Sequence, residues 1–380
     1  MKHSYRILGK DTDVSGKRVL IRLDLNVPIQ KGRVVDDFRI ARVMPTLELL
    51  RSKGARGVII GHIEGEVKTL QQVFDHMHER FPLKAFIRDY VSDCIPEAIE
   101  NLKPGEFVMC ENLRHHDGEK DNAESFARAL AKIADIYVNE AFSVSHRNHA
   151  SIVGVPALLP SFAGSLFANE VESLSQAFSP LRPALFVLGG AKFETKFPLL
   201  EKFLNFYDYV FVGGALSNDI FKTRGLEVGQ SRVSESSVDL TRLSSMKNLY
   251  VPVDVTVQNR RGIEFKKPDQ VSLDDSILDV GPETGDLLKD LIRRSRFVLW
   301  NGPLGNYEMG FKGSSEDLAR YIASGTIRSV IGGGDTLAVV SELSLMDQFD
   351  FVSTAGGAML DFLANETLPG IKALENAPRS

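Results

Sequence analysis

Short apolar runs, each succeeded by a helix-period pattern, recur along this chain, and that repeat restricts it to one broad class of fold. Strand–helix alternation argues for parallel sheets with helices on both faces. The residues that end the runs change half-way along. In the first half the runs end in polar, charged loops: Val19–Leu23 leads into Asp24-Leu25-Asn26, Val58–Ile60 into Gly61-His62, and Phe107–Cys110 into Glu111-Asn112-Leu113-Arg114. In the second half they end in glycine: Leu185–Leu188 into Gly189-Gly190-Ala191-Lys192, Phe211–Val212 into Gly213-Gly214, and Phe297–Trp300 into Asn301-Gly302-Pro303. Val330–Ile331 runs into Gly332-Gly333-Gly334-Asp335-Thr336, and Phe351–Ser353 into Thr354-Ala355-Gly356-Gly357. Ligands of parallel α/β sheets bind outside the carboxyl ends of the strands. The pattern therefore predicts two sheets facing two ligands, one gripped by Arg, His, Asp and Asn, the other approached by bare backbone, as a polyphosphate is.

At 380 residues the chain exceeds one ordinary core and fits two domains of roughly 150–200 residues each. The net charge of −5 gives no footprint for nucleic acid, so the basic residues act locally. Cys94 and Cys110 stand in no metal-ligand spacing and read as reduced and intracellular. Met1-Lys2-His3-Ser4-Tyr5-Arg6 has no apolar core of a signal peptide. The most apolar stretch, Val153–Ala168, is interrupted by Pro156, Pro160 and Ser161, so no membrane span is expected. These features predict a cytoplasmic protein.

Helical periodicity predicts helices over Asp37–Lys53 with a kink at Pro45, Thr69–Phe81, Asn122–Ala134 and Phe167–Phe178. It predicts others over Glu194–Phe206, Ala215–Arg224, Thr284–Arg294, Ser314–Ser324 and Thr336–Leu343. A Pro-containing break at Leu159–Ala163 sets the expected boundary. The expected division is 1–163, 164–367 and a tail, 368–380, too short for a core of its own.

Each polar cluster has two readings. Asp24 and Asn26 share one side of an extended chain and can bind hydroxyls or orient an Arg; the alternative is an Asx turn before Pro28. Arg39 can be a ligand or a surface partner of Asp36 or Asp37. Glu111–His116 and Asn139–His149 each bring Arg close to His. Adjacent His115 and His116, and His146 and His149 in a non-helical segment, make a poor zinc set. Convergent Arg and His suit a phosphate or carboxylate better. Lys192 and Lys196, four apart at a helix start preceded by glycines, suit a phosphoryl group; the alternative is a solvated pair. Asp335 reads as a helix N-cap or a magnesium ligand. Walker A and G-x-G-x-x-G spacings are absent from the sequence, which disfavours P-loop and dinucleotide enzymes.

Together these segments resemble phosphoglycerate kinase. The resemblance runs from about Lys17 to Leu374 through RLDLNVP at Arg22–Pro28, DDFRI at Asp36–Ile40, ENLRHH at Glu111–His116 and YVNEAFSVSHRNHAS at Tyr137–Ser151. It continues through LGGAKFETK at Leu188–Lys196, PVDV at Pro252–Val255, DVGPET at Asp279–Thr284, WNGPLGNYE at Trp300–Glu308, GGGDT and STAGGA. It implies two doubly wound, Rossmann-like parallel-sheet domains joined by a hinge helix, with the tail docked on the first domain. It implies a monomeric glycolytic enzyme that transfers a phosphoryl group between 1,3-bisphosphoglycerate with MgADP and 3-phosphoglycerate with MgATP. Asp24, Asn26, Arg39, His62, Arg114 and Arg147 would hold the acid. Arg39, Lys192, Lys196 and the backbone of Gly356 and Gly357 would face the group in transfer. Gly214 and Gly281 would line the adenine slot, Glu308 would meet the ribose, and Asn301, Gly333, Gly334 and Thr336 would lie at the phosphates. Asp335 would hold Mg²⁺.

The sequence departs from the family in two places. Where the family has His-Leu-Gly-Arg-Pro, this chain has His62-Ile63-Glu64-Gly65-Glu66. A cation is lost and two carboxylates are gained, which predicts weaker binding of an acidic phosphate. Ala355 and Met359 replace the family's glycine and serine near the last turn. These departures leave two further readings: a catalytically weak homologue kept for binding or scaffolding, and a kinase of another small carboxylic acid.

Overall fold

The computed structural model describes residues 4–92, 94–234 and 240–379; Met1–His3, part of the segment checked for a signal peptide, lie outside them. The chain divides into two units. The first comprises 1–172 and 365–380, and the second 173–364. The boundary falls inside the helix Ser165–Ser175.

In the first unit a six-stranded sheet runs in the order Phe86–Ile87, Phe107–Cys110, Arg56–Ile60, Arg18–Arg22, Ile136–Asn139, Ser161–Ala163. Every pair is parallel. The order reverses beside Arg18–Arg22, which makes the neighbouring crevice the topological switch point. Arg22 is in register with both Ile60 and Asn139. The loops after these strands therefore open along one edge. The helix Phe38–Ser52 runs through Pro45 and buries Ile40, Val43, Leu47 and Leu50 against the sheet. The other expected helices of this half appear, shortened, as Gln71–His78 and Glu124–Lys132. The buried Glu140 carboxylate accepts the Phe167 N–H at 2.8 Å and the Leu166 N–H at 3.1 Å, closing the start of Ser165–Ser175. Near the chain end, the short helix Pro369–Glu375 donates the Gly370 N–H to the Ser145 carbonyl at 2.9 Å.

The second unit carries a parallel sheet in the order Leu249–Tyr250, Tyr209–Val212, Ala184–Leu188, Phe297–Asn301, Arg328–Gly332, Phe351–Ser353. Numbered along the chain, that is the 3-2-1-4-5-6 order of a doubly wound nucleotide-binding sheet. Leu188 is in register with Val212 and Asn301, Asn301 with Gly332, and Gly332 with Ser353. The glycine turns after these strands thus form one row along the sheet edge. Trp300, fully buried, fixes that row from beneath by donating its indole N–H to the Gly302 carbonyl at 2.8 Å.

Strand–helix alternation did not anticipate an antiparallel ribbon of Val255–Asn259, Gly262–Lys266 and Ser276–Val280. Two of these strands present exposed residues, and the reversal between Asn259 and Gly262 is a tight turn rather than a helical crossover.

Candidate active site

In the first unit the crevice beside Arg18–Arg22 gathers the predicted acid-binding groups. Asp24, buried just beyond that strand, accepts from Arg39 at 2.7 Å and from the Ser143 hydroxyl at 2.6 Å. Arg39 therefore serves Asp24, and the alternative of a surface pairing with Asp36 or Asp37 falls away. Asp37 instead meets His76 and Arg80. The Asn26 side-chain Oδ1 accepts the Glu64 N–H at 3.0 Å.

His62 is 2 % exposed and its Nδ1 lies 3.1 Å from Arg22 Nη2. Burial, then the charges of Arg22 and Arg114, push its pKa far below the usual histidine range. The ring is neutral, and since a guanidinium only donates, Nδ1 accepts and the ring proton sits on Nε2. His62 thus presents a donor, suited to an anion. Arg22 is itself fully buried and tied through the Ser151 hydroxyl to the buried Glu119. Arg22, Ser143, Ser151 and Glu119 were not singled out from the sequence. The available signal was Arg22, a charge inside the apolar run Val19–Leu23.

Arg114 is half-buried, and burial, then the charge of Arg22, lowers its pKa. One Nη nitrogen is paired with the Glu64 carboxylate. Its Nε is buried without a hydrogen-bond partner. Arg147 lies exposed in the loop after Ile136–Asn139.

In the second unit the first two turns of the row interlock. The Gly190 N–H donates to the Pro303 carbonyl at 2.9 Å, and the Gly214 N–H to the Leu304 carbonyl at 3.0 Å. Gly214 has φ +61°, and a β-carbon there would stand 2.6 Å from the Gly190 nitrogen. Lys192 and Lys196 do not share one exposed face. Lys192 is the exposed N-cap of the helix Phe193–Leu204, whereas Lys196 is 8 % exposed and donates to the Gly189 carbonyl at 2.5 Å. Burial pulls the Lys196 pKa down to about 8; Asp335 opposes that shift, and Lys192 adds to it. Asp335 is exposed in the first turn of the helix Gly334–Glu342. The N-cap there is Gly333, so the capping alternative for Asp335 does not hold. The helix Gly357–Asn365 opens the last turn, with Gly356 at φ +55°.

A cavity of about 430 Å³ lies within this unit between the glycine row and the antiparallel ribbon. Gly190, Gly214 and Asp335 line one side, Val255 and Val280 another, and Leu304 and Glu308 a third. This gives phosphate-facing backbone at one end and apolar walls at the other. Lys196, Gly281, Asn301, Gly333, Gly334 and Thr336, also expected at the nucleotide, are not among the residues that line it. Gly281 does not line this cavity; it faces another hollow, and a β-carbon on it would strike the Asp254 carboxylate at 2.3 Å. That carboxylate caps the helix Pro282–Arg294 by accepting the Thr284 N–H at 2.7 Å. Thr336 is fully buried and its hydroxyl accepts the Gly302 N–H at 2.8 Å, so its side chain ties two turns together. Asn301, 2 % exposed, sits beside Gly333 and 3.7 Å from the Met359 sulfur.

A sequence profile described as Phosphoglycerate kinase matches residues 9–366. The phosphoglycerate kinase of Xanthobacter flavus is 36% identical over 397 aligned residues, covering 98% of this chain and 99% of that protein. That of Moorella thermoacetica is 37% identical, covering 96% and 98%. The chain belongs to the phosphoglycerate kinase family. Among solved structures, phosphoglycerate kinase from Coxiella burnetii superposes with a TM-score of 0.85 at 35% identity, over 96% of this chain and 97% of that one. The Pyrococcus horikoshii OT3 enzyme gives 0.83 at 27% identity, over 98% of each. The family resemblance and the two-domain α/β fold expected from sequence hold. As a phosphoglycerate kinase family member the chain is a phosphotransferase with a carboxyl group as acceptor, acting reversibly between 3-phosphoglycerate with ATP and 1,3-bisphosphoglycerate with ADP. Among the described residues no helix is long and apolar enough to cross a membrane.

Proposed function

We propose that the first unit holds the glycolytic acid and the second the nucleotide, and that a hinge motion brings the two ligands into line. The observation that carries this reading is the 430 Å³ cavity, with turns of the glycine row and the exposed Asp335 at its phosphate end and, beside it, the buried Lys196 bonded to the Gly189 carbonyl. Asp24, Asn26, His62, Arg39, Arg114 and Arg147 bind 3-phosphoglycerate. Gly214 and Glu308 take the adenosine part of ATP or ADP. Gly333 and Gly334, at a helix N-terminus, offer N–H groups to the phosphates.

The residues fit Mg²⁺ as a companion of the nucleotide. Among the described residues no group of three or more His, Cys, Asp or Glu could form a protein cage for a metal. Mg²⁺ is ordinarily held by one or two carboxylates plus substrate phosphates, and Asp335 supplies one such carboxylate. When bound, Mg²⁺ neutralises charge on the phosphate oxygens.

In transfer, a carboxylate oxygen of the acid forms a bond to the γ-phosphorus of ATP while the bond to the ADP oxygen breaks. Little covalent chemistry falls to the protein; alignment and charge neutralisation do the work. Arg39, Lys192 and Lys196 supply positive charge to the group in flight, and Gly356 and Gly357 supply backbone N–H groups. We read the protein as a cytoplasmic monomer without nucleic-acid or membrane partners, in keeping with its net charge of −5. The test is a coupled assay of ADP formation from MgATP with 3-phosphoglycerate and, separately, with glycerate, acetate and other small acids. Turnover with 3-phosphoglycerate far above the rest is expected. Preference for another acid would favour the alternative kinase reading, and no turnover would favour a binding or scaffolding role.

A further inference from the structure

The loop that departs from the family pattern is engaged with two of the acid-binding residues. Glu64 uses its carboxylate on Arg114 and its backbone N–H on the Asn26 side chain. Arg114 and Asn26 both belong to the group assigned to the acid. Arg114 is largely enclosed, with a side chain 11% exposed, whereas that of Glu64 is 59% exposed. The cation is thus a fixed part of the site, and the carboxylate reaches it from an open loop. Arg114 also keeps a buried Nε without a hydrogen-bond partner. A guanidinium fork has donors for a bidentate oxyanion, and Glu64 leaves that one unused.

We propose that Glu64 is an autoinhibitory residue, a tethered carboxylate that occupies Arg114 in the free protein and that an acidic substrate must displace. The inference rests on the assignment of Arg114 to the acid site. A phosphate brings up to two charges and three acceptor oxygens to the released guanidinium. Because the tether acts on the free protein, Glu64 lowers affinity for every acid that uses Arg114 by one common factor, the inverse of the fraction of molecules in which Arg114 is released.

The experiment compares wild type with Glu64→Gln, Glu64→Asp and Glu66→Gln. Glu66 is an exposed acid two residues away in the same loop, so its variant reports a change of net charge without loss of the Arg114 contact. Initial rates give KM for 3-phosphoglycerate and for ATP, and calorimetry gives Kd for 3-phosphoglycerate. Glu64→Gln should lower both constants for the acid about three- to tenfold, the scale of a partly exposed ion pair. The KM for ATP should stay within twofold. Glu64→Asp keeps the charge but shortens the arm, and should move the constants the same way by a smaller factor. Glu66→Gln should leave them unchanged. Unchanged acid constants in Glu64→Gln, or an equal shift in Glu66→Gln, would overturn the inference while leaving the family reaction standing. Absence of turnover with 3-phosphoglycerate in wild type would overturn the reading beneath it, and the inference with it.

Discussion

Burial sets the working range of Lys196. A pKa of about 8, drawn down from the ordinary lysine value by desolvation, leaves the charge on the ammonium only below that pH. If the charged form is the one that meets the phosphates, kcat/KM for the nucleotide should fall about tenfold per pH unit above about 8, because that ratio reports the free enzyme. Lys196→Arg, which cannot lose its proton in this range, should abolish the limb; a limb kept by the Arg variant would assign it to another group. Lys196→Ala should lower turnover by roughly 10²-fold or more, as removal of one transition-state donor does. The same shift fixes a sign for stability. Above about pH 8 the unfolded chain holds this proton more tightly than the folded one, so the free energy of unfolding contributed by Lys196 rises with pH up to the ordinary lysine range. Asp335→Asn should weaken nucleotide use in a manner that more magnesium partly restores, since an amide is a poorer ligand for a hard cation. Superimposable magnesium titrations of variant and wild type would remove Asp335 from the metal. Asp24 and Arg39 were legible as candidates because each comes directly after a strand or at a helix start. The inequality of Lys192 and Lys196 was not, because a four-residue spacing cannot say which side chain turns inward when the first of the pair is the N-cap itself.

The turns of the second unit work as an interlocked set. Gly190 and Gly214 bond to the loop at Pro303 and Leu304, and Thr336 reaches to Gly302 from another helix. Gly214→Ala should lose about 1–3 kcal/mol of stability, from a left-handed backbone and a β-carbon 2.6 Å from the Gly190 nitrogen. It should also raise KM for ATP and leave KM for the acid near wild type. Chemical denaturation and initial rates together check this; an unchanged midpoint would mean that the turn has room the geometry denies it. Glycines after apolar runs announced these turns, because close approach of backbone leaves a mark in the sequence. The antiparallel ribbon left no such mark. Its edge strand Gly262–Lys266 is largely exposed while Val255 and Val257 of the middle strand are buried, so no one pattern runs through all three, and Gly262 signals the reversal. Gly281 leaves a double mark: a glycine can make room for a neighbouring side chain, here Asp254, as readily as for a ligand.

At the scale of the whole chain, the two sheets share one logic with different loops. Each puts its candidate site at a switch point, one lined by side chains that carry charge and the other by backbone. That division was legible because polar and glycine-rich strand ends are separated along the sequence. The division point was less so: it falls within the helix Ser165–Ser175, and a continuous helix carries no break for the eye to find. The central claim is direct transfer between an acid held by one unit and a nucleotide held by the other. Initial rates with 3-phosphoglycerate and MgATP varied against each other test it most directly. Direct transfer requires both ligands bound at once, so double-reciprocal plots should intersect. Parallel plots, the mark of a phosphorylated enzyme intermediate, would contradict the account.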